Sequence, residues 1–212
     1  MQLDPDDNSE LLQRAAGGDQ QALGELFTQH TDRLHRMIQL RLNRRLQGRV
    51  DSSDVIQEAY LEISQHLADY ARDPKLPFFL WLRHITVQKL ITVHRRHLGA
   101  QRRDADLEVS LHHGAMPEAS SISLAEQLLG HLTSASHAAM RAELQIRVQE
   151  ALGAMDVMDR EVLALRHFEL LSNGEVATVL GLSKTAASNR YVRALGRLRE
   201  IMESIPGFVD GL

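Results

Sequence analysis

The chain contains no cysteine. Disulfide bridges, thiolate metal sites and cysteine nucleophiles are therefore excluded. Aromatic residues are scarce too, at 4% of 212 residues. Apolar residues recur at helical rather than alternating spacing, which argues for an all-α protein. No apolar run approaches the ~18 residues of a membrane span. The N-terminal "MQLDPDDNSE" is acidic and polar, the opposite of a secretory signal. A cytoplasmic protein with no membrane span is expected. No Ser/His/Asp constellation, phosphate-cradling glycine loop or pair of catalytic carboxylates stands out, so neither enzymatic activity nor a cofactor is expected. Eleven histidines invite a metal site. His94 and His97 are spaced i, i+3 and His112 and His113 are adjacent, but no acidic or cysteine partner nearby completes a ligand set.

What the chain does have is segregated charge. Its formal net charge is −4, yet residues 33–50 hold six arginines and no acid. Residues 51–73 hold six acids (Asp51, Asp54, Glu58, Glu62, Asp69, Asp73) against Arg72. Residues 81–103 hold six bases (Arg83, Lys89, Arg95, Arg96, Arg102, Arg103) and no acid, and residues 183–199 hold five bases and no acid. A single run is ordinarily a solvated face; alternating blocks suggest surfaces made for charged partners.

The apolar pattern predicts a short helix capped by Ser9, a break at Gly17-Gly18, and a long helix capped by Asp19 and ended by Gly48. Leu23, Leu26, Phe27, Leu34, Met37, Ile38 and Leu42 form its apolar stripe. "DSSDVIQEAYLEISQHLADY" is the next helix. Its Asp54, Glu58 and Glu62 fall at i, i+4 and i+8 and share a face. Like charges at that spacing repel mildly, so a basic partner helix explains them better than solvent does. "ARDPKLP" is a loop, and "FFLWLRHITVQKLITVHRRH" resumes as a helix. Its Phe78, Phe79 and Trp81 admit two readings. They pack a core at the helix start, which is the reading for Phe79 and Leu82, or they stack unpaired bases beside a phosphate-binding rim. Residues 100–139 read as a linker with one short helix at Ser123–Leu132, and a second helical unit follows from Met140.

In that unit "SNGEVATVLGLSKTAASNRYVRALGRLREIM" has the layout of a helix-turn-helix. The helices are Asn173–Leu180 and Lys184–Glu200, joined by Gly181-Leu182-Ser183. Ala177 is small where the second helix crosses, Gly181 tolerates the left-handed turn, and Ser183 can cap the second helix. Lys184, Thr185, Ser188, Asn189, Arg190 and Arg193 can face a major groove, where arginine suits guanine and asparagine suits adenine. Arg197 and Arg199 lie later, suited to phosphates or acidic neighbours.

Taken in order, these segments resemble the bacterial sigma-70 family, in its extracytoplasmic-function (ECF) type. The resemblance covers roughly residues 9–100 and 140–203. "DSSDVIQEAYLEI" is similar to the family's segment for docking on core RNA polymerase, "FFLWLRHITVQKLITVHRRH" to its −10 recognition and melting helix, and "MDVMDREVLALRHFELLSNGEVATVLGLSKTAASNRYVRALGRLREIM" to its −35 domain. The resemblance implies that Asp54, Gln57 and Glu58 meet the clamp of the largest polymerase subunit. It implies that the loop Tyr70–Pro77 holds a flipped base and that Trp81, His84, Gln88, Lys89, Arg95 and Arg96 line the melting DNA. It also implies that Lys184, Thr185, Ser188, Asn189, Arg190 and Arg193 read the −35 element, and that Leu165, His167 and Phe168 lie near the surface meeting the polymerase flap. Gln88 stands where many relatives have Asn, and Ala187 is smaller than the usual Val or Ile.

The implied architecture is two small helical domains joined by a linker. It comprises an acidic tail at 1–8, a docking and −10 domain at 9–99, the linker at 100–139, a helix-turn-helix domain at 140–203 and a tail at 204–212. The implied partners are core RNA polymerase, promoter DNA and an anti-sigma factor, with a monomer when free and weak affinity for free DNA. The two domains are expected to pack together and hide DNA-binding surface. The rival readings are a helix-turn-helix regulator acting without polymerase and a protein-binding adaptor.

Overall fold

The computed structural model describes residues 5–46, 48–98, 119–130 and 138–204. All its elements are helical, and the chain divides into two compact units, residues 1–117 and 118–212. The division falls within the segment read as a linker.

In the first unit, α1 spans Pro5–Ala16 and α2 spans Gln20–Arg41. Ser9 therefore lies inside α1 and does not cap it. Proline is tolerated in a first turn, where its missing N–H forfeits no bond. Gly18, at φ 99, turns the chain, and Asp19 caps α2 by accepting the Gln21 and Ala22 N–H groups. Those backbone bonds, with the Arg14 guanidinium 2.7 Å away, hold the Asp19 carboxyl below its ordinary range. α2 ends at Arg41, short of Gly48. One local and one distant bond draw the chain out of the helix: Asn43 Oδ1 accepts from Arg45 N–H, while Asn43 N–H donates to His94 Nε2. A 3₁₀ turn at Arg44–Leu46 follows, and Gly48, at φ 88, completes the turn into α3.

α3 spans Ser52–Arg72, capped by Asp51, and α4 spans Phe78–Leu98. The core joins Leu26, Leu34, Met37 and Ile38 of α2 to Val55, Ala59 and Ile63 of α3 and Leu82 and Leu90 of α4, all fully buried. Each such aliphatic side chain contributes about 1.5–3 kcal/mol relative to exposure. α4 also buries Arg83, Thr86 and His94. Burial pushes the His94 imidazole down to about 4, so it is neutral at pH 7 and its Nε2 serves as an acceptor.

In the second unit, α5 spans Ser121–Gly130, α6 Ala138–Ala154, α7 Val157–Leu163, α8 Asn173–Leu180 and α9 Lys184–Ser204. The short helix expected at Ser123–Leu132 thus starts two residues earlier, as α5. Arg160 Nη1 donates to the carbonyls of Leu152, Gly153 and Met155, closing the end of α6 as a C-terminal cation does. Asp156 caps α7 through the Met158 and Asp159 N–H groups. One π turn, Ala164–Phe168, carries the chain onward, and Leu170 then takes a positive φ of 56. α8 opens with a capping box between Ser172 and Glu175. It closes at Gly181, φ 63, with Leu182 N–H reaching Ala177 C=O and Gly181 N–H reaching Thr178 C=O, a Schellman arrangement. The Ser183 hydroxyl accepts Ala186 N–H at the start of α9. The tail at 205–212, His112 and His113, and Arg102 and Arg103 lie outside the described residues.

Candidate nucleic-acid interface

The sequence joins α3 to α4 through a five-residue loop, so the helices return antiparallel. Their closed end is aromatic. Tyr70 and Trp81 stack with centroids 4.4 Å apart at 20°, and Phe78 lies 5.6 Å from Tyr70 and 5.9 Å from Trp81. The Tyr70 hydroxyl donates to Leu76 C=O at 2.8 Å, which ties down the loop. Burial of the Tyr70 ring raises its pKa, so it remains a donor. The aromatics differ in burial. Phe79 is core, with the Arg33 guanidinium 3.5 Å above its ring; Trp81 is only half-buried.

From Trp81 onward one stripe of α4 faces outward: His84, Gln88, Thr92 and Arg95 are exposed, at helical spacing. Thr92 was not singled out from sequence; it occupies the same face, with its hydroxyl bonded to Gln88 C=O. The other bases of the run have different settings. Arg83 is buried. Lys89 pairs with Glu62, and Arg96 Nη1 lies 3.5 Å from Glu58 Oε1.

Those pairs divide the acidic stripe of α3. Asp54 is exposed, whereas Glu58 and Glu62 are half-buried beside their α4 partners. Glu58 and Glu62 lean on α4, which is the basic partner helix their spacing called for. Asp54 and Gln57 are exposed, and between them and exposed Gln65 stands Leu61, 60% exposed. An exposed leucine at 54, 57, 61, 65 spacing puts an apolar side chain on the outward face of α3, which charge counting passed over. An open groove beside Asp54, of about 520 Å³, is lined by Gln39, Arg49, Asp51 and Ser52.

In the second unit α9 exposes Lys184, Thr185, Ser188, Asn189, Val192 and Arg193. Val192 is 64% exposed, an apolar side chain amid polar ones that sequence reasoning also passed over. Ala187 and Ala194 are fully buried one face away, so the small residue at 187 belongs to the packing side. Arg190 is not with the outward group. Its Nη1 lies 3.0 Å from Asp159 Oδ1 and 3.1 Å from Asp156 Oδ1, and Arg197 Nη1 lies 2.9 Å from Asp159 Oδ2. On the other flank the Tyr191 hydroxyl and His167 Nε2 are 2.9 Å apart, with Arg166 5.0 Å above the Tyr191 ring. Burial and the Arg166 charge lower the His167 pKa, which favours the neutral ring. Leu165 is fully buried, part of the core and not of an outer surface; His167 is exposed and Phe168 half-buried.

Among the described residues no group of three or more His, Asp or Glu side chains could hold a metal ion, and no helix is long and apolar enough to cross a membrane. His94, half of the i, i+3 pair, is a core residue. What the two faces offer is recognition: a stacked aromatic beside polar and basic side chains on α4, and hydrogen-bonding groups with two cations, Lys184 and Arg193, on α9.

A family profile for ECF sigma factors matches residues 5–203. The chain is 30% identical to the RNA polymerase sigma factor CnrH of Cupriavidus metallidurans over 210 residues, covering 95% of this chain and 98% of that protein. It is 26% identical to the RNA polymerase sigma-H factor of Pseudomonas aeruginosa, covering 91% and 92%. Its fold is similar to a solved structure of CnrH in complex with the cytosolic domain of CnrY, with a TM-score of 0.53, 26% identity and coverage of 93% of this chain and 97% of that one. The chain belongs to the ECF sigma factor family, whose members are non-enzymatic transcription-initiation factors.

Proposed function

We propose that this sigma factor docks on core RNA polymerase through α3 and reads promoter DNA with α4 and α9. The observation that carries the reading is the single outward stripe of α4, Trp81, His84, Gln88, Thr92 and Arg95, with a stacked Tyr70–Trp81 pair at one end. Aromatic faces capture unpaired bases and polar neighbours reach their edges, which suits a −10 strand being unwound. The loop after α3, tied by Tyr70 to Leu76, is the place for a flipped base. Lys89 and Arg96 reach DNA from the α3 side of the same helix.

On α9, Lys184, Thr185, Ser188, Asn189 and Arg193 address the −35 element as one half of a helix-turn-helix. Val192 adds an apolar contact of the kind that thymine methyl groups accept. Docking rests on Asp54, Gln57 and Leu61, with Glu58 at the edge of the patch. A partner comparable to the cytosolic domain bound by CnrH is the reading for an anti-sigma factor. The test is run-off transcription with purified core polymerase on a promoter library. Specific transcripts that vanish with Asp54→Arg and fall with Trp81→Ala are expected. Operator binding by a homodimer, with no polymerase-dependent transcripts, would instead support the helix-turn-helix regulator.

A further inference from the structure

Asp159 is 5% exposed and sits in the first turn of a seven-residue helix. A carboxylate so placed needs partners, and it has two. One oxygen takes Arg190 and the other takes Arg197. The two arginines are one heptad apart, so they project from the same side of α9. Between and before them lie the buried Ala194 and Ala187, whose small side chains let α9 approach α7 closely. Asp156, while capping α7, takes a further bond from Arg190. Asp159 thus grips α9 at two levels, two turns apart, and Asp156 reinforces the first of them.

We propose that Asp159, assisted by Asp156, is the positioning residue of the −35 reading helix, and that Arg190 acts through it and not on a base. Two arginines held on one carboxylate fix both the rotation of α9 about its axis and its slide along α7. Ser188, Asn189 and Arg193 then meet the groove at a set angle. This rests on the −35 reading of α9, and it reassigns one residue within it.

The test is a double-mutant cycle on the full chain, read in two ways. Asp159→Ala, Arg190→Ala and the double variant are compared first by thermal unfolding without DNA. The clasp predicts that the double variant loses less than the sum of the two single losses, because the Arg190–Asp159 contact is lost only once while Arg190–Asp156 and Arg197–Asp159 are separate; losses that simply add would overturn it. The same proteins, assembled with core polymerase, are then selected on a library randomised across the −35 element. Each single variant is expected to bind about tenfold more weakly with the preferred sequence unchanged, the size expected of one lost charge-assisted bond. Relaxed preference at one base pair for Arg190→Ala alone would overturn the proposal. So would recovery of full binding 15 °C colder, roughly the margin of a modest destabilisation, since positioning would then be only folding. If the wild-type holoenzyme shows no −35 preference at all, the −35 reading fails while the thermal cycle still reports on the clasp.

Discussion

The two basic helices look alike as strings of residues and differ as structures. α4 ties Lys89 and Arg96 to Glu62 and Glu58 of α3, across a solvated seam where Arg96 is 60% exposed and Glu58 39%. α9 ties Arg190 and Arg197 to a single carboxylate, Asp159, whose side chain is 7% exposed. Exposed pairs of the first sort contribute about 0.2–1 kcal/mol each and weaken with salt. A buried carboxylate cannot release its partners without stranding a charge. The same residue type therefore serves an adjustable edge in one unit and a fixed seat in the other. A basic run records where arginines and lysines are, not which of them are available to DNA.

The largest expected effect separates the units by pH. His94 is neutral in the fold, with its pKa lowered from 6.5 to about 4. The unfolded chain binds the proton first, so stability is complete above pH 6.5 and falls as pH drops towards 4. The full shift corresponds to ~3 kcal/mol. The first unit should melt before the second on acidification, and His94→Gln should flatten that dependence; calorimetry between pH 7 and pH 4 checks both. Next comes Asp159→Ala, expected to cost the second unit about 2 kcal/mol, since two charge-assisted bonds vanish but both arginines can turn to water. Denaturant unfolding measures it.

Trp81→Ala should cost promoter opening about 1–3 kcal/mol, the value of one stacked base, read as a shorter open-complex lifetime with little change in initial docking. The smallest effect belongs to the α3–α4 seam. Glu58→Gln should change unfolding by less than about 0.5 kcal/mol. A drop of several kcal/mol there would erase the contrast between the two helices.

The parts of the fold legible in the sequence are those whose causes are local. Asp19 precedes its helix by one residue and caps it; Gly181 takes the left-handed turn that only glycine adopts without strain. The Ser172–Glu175 capping box was equally local and could have been found from its spacing. Ser9 offered a plausible cap, but α1 begins earlier, at Pro5. Gly48 was a good stop signal placed too late, because Asn43 and His94 end α2 through a bond spanning 51 residues. The seats of Arg190 and Arg197 depend on Asp159, 31 and 38 residues away, and no helical period encodes that pairing. Likewise the stripe of Asp54, Glu58 and Glu62 was seen, but the partner that divides it lies on α4. The α9 residues Ser188, Asn189 and Arg193 lay on an outward face that helical spacing alone could assign; Val192 on that face, and Leu61 on α3, show only as exposed apolar side chains once the packing side is known.

The sorting of bases into seats and readers has one direct measurement, the salt dependence of −35 duplex binding by the polymerase-bound protein. A cation that displaces counterions contributes about one unit of slope in log K against log salt. Arg193→Ala should lower the slope by about one, whereas Arg190→Ala, whose charge is already neutralised by Asp156 and Asp159, should weaken binding with the slope unchanged. Equal flattening by both variants would contradict the account.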